Sequence, residues 1–282
     1  MKKSGLLLSG VIVAATLVGG YFWWQQHEEP PAPVVATAPA VEPAPAVTEA
    51  PPPVEAPPAI QHPVEAVPVE EPLPPVQSSD ELLAKALQPL VGSEQWRFIF
   101  IPEMIVRHIV ATVDNLPRQE VSTKVWPVRP AGSWLQTEGS GADLHIAASN
   151  AQRYARYAEL VQKIDIAKLA EVYRKYYPLF QRAYVDLGYP DGYFNDRLVV
   201  AIDDLLAAPE PAEPPQLVQN KVLYQYADAD LESRSAGQKI MLRIGVDNER
   251  IVKEKLRALR AAITKTPPAP STAPATPATP AK

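Results

Sequence analysis

Residues 165–188 read DIAKLAEVYRKYYPLFQRAYVDLG. Ile166, Leu169, Tyr173, Tyr176 and Tyr177, Phe180, Tyr184 and Leu187 step by three and four, which places them on one side of an α-helix. Asp165 is of the type that caps a helix N-terminus, and Gly188 of the type that ends one. Pro178 falls off the stripe, near Lys175 and Arg182, and should kink the helix without interrupting its apolar contacts. This is the best-patterned stretch of the chain, and the reading of a mainly α domain rests on it.

Upstream of this helix, Ser149 or Asn150 can cap another with Tyr154, Tyr157, Ala158 and Val161 on one side. Asn195 can cap a following one with Leu198, Val199, Ile202, Leu205 and Leu206. Further upstream, Ser78-Ser79-Asp80-Glu81 has the form of a capping box. It opens a helix striped by Leu82, Leu83, Ala86, Leu87 and Leu90, which Gly92 ends. Ser93 to Phe100 adds a short helix or turn. Pro102 is placed as the first residue of another helix, with Ile105, Ile109 and Val113 buried and Glu103 and Arg107 paired on its flank. Towards the C-terminus, residues 217–226 read as a strand or an ordered strap. Ser235 caps a helix running through Arg243, Gly245 stops it, and Asp247 caps a last helix carrying Ile251, Val252, Leu256, Leu259 and Ile263.

Residues 117–147 break this pattern with Pro117, Pro127 and Pro130. Trp134 to Glu138 and Ala142 to Ile146 alternate around Gly139-Ser140-Gly141, which predicts a β-hairpin. The Gly-Ser-Gly run is too short for a phosphate loop. Asp143 and His145 share one strand face, which is read as the wet one. His108 has no partner at ligand spacing and is read as structural, so no metal site is expected.

The first hydrophobic run, Gly5 to Trp24, carries no charge and at about 1.5 Å per residue spans about 30 Å, the thickness of a bilayer core. Lys2 and Lys3 precede it, and no Lys or Arg follows until Lys85. Positive flanks stay in the cytoplasm, so residues 1–24 read as a cytoplasmic N-terminus and transmembrane anchor, with the rest exported. Cleavage at Val18-Gly19-Gly20 is the rival reading. Residues 25–79 are built from Pro, Ala, Val and Glu without Gly, Lys or Arg, and read as a disordered linker. Fully extended, this linker would reach about 170 Å at about 3.1 Å per residue. Residues 80–265 form the expected helical domain, and 266–282 a disordered Pro/Ala/Thr tail.

The net charge of −5 lies in the linker, whose eight glutamates are unopposed; residues 80–265 balance 24 Lys+Arg against 24 Asp+Glu. A neutral domain lacks the field of a nucleic-acid binder. There is no cysteine, hence no disulfide, thiolate chemistry or lipidated Cys. No catalytic or cofactor motif is found.

Eight of the eleven tyrosines lie between 154 and 193. Tyr154, Tyr173, Tyr176 and Tyr184, at helical spacing, read as core rather than as sugar-stacking rings. Tyr189 and Tyr193 sit in a loop, together with Asp191, Asp196 and Arg197. These five are the candidate partner-binding residues. Arg197 can grip a carboxylate in bidentate fashion, and the two rings supply stiff contact area. The competing reading makes Asn195 a cap, Asp191-Gly192 a turn and Arg197 an internal partner of Asp196 or Asp203.

Tyr176-Tyr-Pro-Leu-Phe, Leu187-Gly-Tyr-Pro, Phe194-Asn-Asp-Arg-Leu198, Ile202-Asp-Asp-Leu-Leu206, Ala227-Asp-Ala-Asp-Leu-Glu232 and Ser235-Ala-Gly-Gln-Lys239 resemble a family of Gram-negative envelope proteins, domain-of-unknown-function family 3014. The resemblance spans roughly residues 80–260. It departs at Ile244-Gly-Val-Asp-Asn248, where Met-Gly-Pro-Glu-Asn is expected, a change to a helix cap. It implies a membrane anchor and a periplasmic helical domain, and no activity.

The fold expected is thus mainly α: an irregular multi-helix domain with one small β-hairpin, preceded by a single transmembrane helix and a proline-rich linker. The function expected is an inner-membrane protein, anchored through residues 5–24, that presents a binding or scaffold domain to a periplasmic protein or peptidoglycan. One alternative is a cell-wall hydrolase using Asp191, Asp196, Asp203 or Asp204, since glycosidases use paired carboxylates. The other is a TonB-like spacer protein, by architectural analogy.

Overall fold

The computed structural model describes residues 59–65, 67, 71–132 and 134–264. The expected anchor at 5–24, most of the linker and the tail lie outside them. Among the described residues, no helix is long and apolar enough to cross a membrane.

Nine helices are found among the described residues: α1 Asp80–Val91, α2 Ser93–Ile99, α3 Ile105–Asn115, α4 Ala155–Lys163, α5 Ile166–Asp186, α6 Phe194–Leu206, α7 Ala229–Glu232, α8 Ala236–Ile244 and α9 Val246–Thr264. The long helix forms as its stripe predicts. Asp165 accepts hydrogen bonds from the amides of Ala167 and Lys168, and the helix runs through Pro178 to Asp186. Its Ala170, Tyr176, Tyr177, Leu179, Phe180, Ala183 and Tyr184 are buried. Against them pack α1, α3 and α6, which bring Leu83, Val106, Val110 and Phe194 into the same core. Helix α9 packs on α4, α5, α6 and α8, and Ile263 near its end meets Val199 and Ile202 of α6.

Several expected caps are used otherwise. Ser79 precedes α1 in a helical conformation and makes no side-chain cap; its hydroxyl donates to the Val76 carbonyl. The Asp80 carboxylate reaches instead across to α3, accepting from the amides of Met104 and Ile105 at 2.8 Å each. That helix starts at Ile105 rather than at Pro102, because Met104 adopts a left-handed conformation at φ 52°. Helix α9 begins at Val246, so Asp247 lies within its first turn. Ser235 does cap α8, through the amide of Gln238.

Among the described residues the β-structure is two hairpins rather than one. The predicted one is short: β1 Thr137–Glu138 pairs antiparallel with β2 His145–Ile146. The second, β3 Leu217–Asn220 with β4 Leu223–Tyr226, lies where a strand or strap was expected. Its turn passes through Lys221 at φ 58°, a conformation that non-glycine side chains seldom adopt. The hairpins are joined, since the Leu217 amide donates to the Leu144 carbonyl and the Ile146 amide to Pro215.

The packed part also extends upstream of Asp80. Val76 is buried, and Leu73 and Val64 lie against the main core.

Candidate functional site

The loop between α5 and α6 is shaped first by packing. Its turn is closed by the Gly192 amide donating to the Tyr189 carbonyl at 3.1 Å. A Cβ on Gly192 would stand 2.8 Å from the Tyr184 ring, so no larger residue fits without displacing that ring. The Tyr189 ring stacks on Tyr184, with centroids 4.6 Å apart and planes at 19°.

Four of the five candidate residues turn inward. Tyr189 donates its hydroxyl to Asp114 at 3.2 Å and accepts from Arg118 at 2.6 Å. The Arg197 Nε lies 3.0 Å from Asp114 Oδ1, and its Nη2 donates to the Asp114 carbonyl. Asp114, near the end of α3, has only 6 % of its side chain exposed and also holds Arg118 at 2.6 Å. One buried carboxylate therefore gathers two guanidinium groups and a phenol. The expected partners of Arg197, Asp196 and Asp203, are engaged elsewhere. Asp203 pairs with Arg260 at 2.6 Å, which holds its carboxyl below the usual range.

Asp196 and Tyr193 turn to the other side of the loop. The two Asp196 oxygens accept from the backbone amides of Gln61 and His62, at 3.0 and 2.7 Å. The Tyr193 hydroxyl accepts from the Val64 amide at 2.8 Å. Pro63 has no amide to offer, so the loop takes up every backbone donor from 61 to 64. Asn195, fully buried, donates to the His62 carbonyl at 2.8 Å and to the Ile263 carbonyl at 3.2 Å. It is a clasp between the two ends of the domain and not the expected cap. The start of α6 is capped from α5 instead: Gln181 accepts from the Phe194 amide and the Tyr177 hydroxyl from the Asn195 amide. Asp191 alone of the five is exposed, and it makes no such bond among the described residues.

The tyrosines of α5 complete this network. Tyr173 donates to Asn195 at 2.9 Å and Tyr177 to Gln181 at 3.0 Å. Burial pushes both hydroxyls well above the ordinary phenol range. Their rings pack edge-on, 5.6 Å apart. Tyr176, Tyr177 and Tyr184 are buried and present no free face for a sugar.

Sequence reasoning missed Asp114, Gln181 and the 61–64 segment. Asp114 and Gln181 are polar residues in helices, with no local motif to single them out. Residues 61–64 sit in a stretch whose composition argued only for disorder.

The fold and the loop define a helical domain that clasps the extended segment entering it. The chain belongs to the family described as "Protein of unknown function (DUF3014)", whose profile matches residues 105–260, over half of its length. No curated protein and no solved structure gives a match.

Proposed function

We propose that this chain is a non-enzymatic envelope protein, anchored in the inner membrane through residues 5–24, whose proline-rich linker carries a helical binding or scaffold domain in the periplasm. The loop from Tyr189 to Arg197 is the seat of that linker. The observation that carries the reading is the grip of Tyr193, Asn195 and Asp196 on the backbone of residues 61–64. A tether fixed at the domain centre, beside the end of α9, sets how the domain is presented; a loosely attached one would not. Charge supports the topology: Lys2 and Lys3 precede the apolar run and the linker is acidic.

Three of the four carboxylates considered for hydrolysis are engaged within the chain, which supports a non-catalytic reading. Asp196 holds two amides, Asp203 holds Arg260, and Asp204 accepts from Ser235 and Gln238. The domain's partner is a periplasmic protein or peptidoglycan, and the reading needs no cofactor.

A periplasm-only reporter fused after Lys265 tests the topology. It should be active. Activity of a cytoplasm-only reporter at that point would overturn the localisation and the function with it.

A further inference from the structure

Helices α4, α8 and α9, Leu205 near the end of α6 and the irregular run 126–132 line a half-open cavity of about 470 Å³. This lies within the range of about 300–1,000 Å³ typical of small-molecule sites. Its walls are apolar. Trp126, Val128, Tyr154, Tyr157, Ile240 and Val252 are all left only half-buried there, although each offers a surface that folding would normally cover.

The charged residues of the lining are all of one sign. Arg129, Arg153 and Arg243 contribute to it, and no Asp or Glu does. Arg129 and Arg243 are exposed, which puts their charge at the rim. Neither is in an ion pair among the described residues, though the Arg243 guanidinium also meets the Tyr226 hydroxyl, which lies outside the lining. Arg129 donates through Nη1 to the Phe100 carbonyl at 3.0 Å, one of the five donors a guanidinium carries. Arg153 is anchored by the Gly132 carbonyl and by Asn150. In a domain whose acidic and basic residues balance, a cavity with three arginines and no carboxylate is a local field for an anion.

We propose that this cavity binds a single-chain anionic amphiphile, with the chain against the apolar walls and a carboxylate or phosphate head at the Arg129 and Arg243 rim. Size sets the chain. Taking the share of a water in liquid, about 30 Å³, as the scale, the cavity holds on the order of 15 non-hydrogen groups. That is room for one medium-length acyl chain with its head. Guanidinium groups suit the head because they bind carboxylate and phosphate oxygens in bidentate fashion and remain charged at any physiological pH. The inference is independent of where in the cell the chain resides.

The test uses the full chain in zwitterionic nanodiscs and a decanoate carrying a photoreactive diazirine on its chain, with cross-linked peptides mapped by mass spectrometry. Labels should concentrate between residues 126 and 161 and between 240 and 252. Unlabelled decanoate should displace them, and decanol at equal concentration should do so at least tenfold less well. Decyl phosphate in place of decanoate separates the two head groups; displacement by either supports the site and identifies its preference. Arg129→Ala with Arg243→Ala should lower labelling at least tenfold, and the double Lys variant, which keeps the charge without the bidentate fork, should restore part of it. Unchanged thermal unfolding of the variants separates lost binding from lost fold. Labels scattered over the surface, or confined to residues 5–24, would overturn the proposal. Equal displacement by decanol would overturn it as an anion site.

Discussion

The loop at 189–197 and the cavity beneath α8 and α9 treat their charges in opposite ways. The loop gathers tyrosines, carboxylates and an arginine in nine consecutive residues, and apart from Asp191 the candidate groups are used within the chain. Arg197 and Tyr189 meet at Asp114; Tyr193 and Asp196 meet the backbone of 61–64. The cavity draws its arginines from positions 129, 153 and 243, which no window of sequence unites. A dense polar loop was the more visible feature, and it is the one the fold uses for itself. What remains open to a ligand is apolar, dispersed and basic at its edge.

If the contrast is sound, substitutions should grade from severe at committed charges to mild at the cavity rim. The largest effect is expected at Lys253. Its side chain is 4 % exposed and lies 2.9 Å from Glu249, which is buried, and 3.0 Å from Glu210. Lys253→Met leaves Glu249 as a buried, unpaired charge and should cost about 3–5 kcal/mol in denaturant unfolding at neutral pH. The pH dependence has a definite sign. Burial outweighs Lys253 and raises the Glu249 carboxyl above its ordinary value. A raised carboxyl contributes stability that is full below its unfolded pKa and lost as pH rises through the folded one. Removing Lys253 raises it further, so the deficit against the parent should shrink as pH falls towards the acidic range. A deficit that grows on acidification would break the assignment.

Asp114→Asn comes next. It keeps the shape but takes the charge from between Arg118 and Arg197, and should cost about 2–3 kcal/mol, the range of a hydrogen bond to a charged group. An effect below about 0.5 kcal/mol would mean that the loop is not held from α3, and the comparison would lose one side. Asp196→Ala should be milder, about 1–2 kcal/mol, because the two freed amides are near solvent and can find water. Its stronger signature should be proteolytic cutting between residues 59 and 71 before the helical core is touched. At the far end, Arg243→Ala should cost about 1 kcal/mol or less, since the side chain is exposed and its one internal partner among the described residues is the Tyr226 hydroxyl. A larger loss would show that its charge is structural and not part of an anion site.

The same contrast explains what could be read from sequence. Helices α5 and α6 were legible because i, i+3 and i+4 neighbours meet on one helix whatever the rest of the chain does. Asp165 was legible for the same reason, since its cap partners lie two and three residues on. Asp80, Asn150 and Asn195 have cap residue types too, yet their side chains serve distant backbone. Asp80 bonds to the start of α3, Asn150 to the carbonyl of Arg243 and Asn195 to both ends of the domain. A short polar side chain satisfies whichever buried backbone group is nearest, and sequence shows only the local candidates. The second hairpin was hidden similarly: Lys221 takes the positive φ that an Asn-Gly or Asp-Gly pair would have announced. All five loop residues read in the sequence as candidates for a partner; the turn at Asp191-Gly192 and the internal use of Arg197 belonged to the competing reading, which named the wrong partners for Arg197.

The most direct test of the clasp is amide hydrogen exchange at Gln61, His62 and Val64 in the full chain. Exchange at these three should be slowed well below that of an unstructured chain. It should return towards that rate for Gln61 and His62 in Asp196→Ala, and for Val64 in Tyr193→Phe, with α5 still protected. Free exchange at all three in the parent protein would mean that the loop does not hold the linker, and would contradict the account.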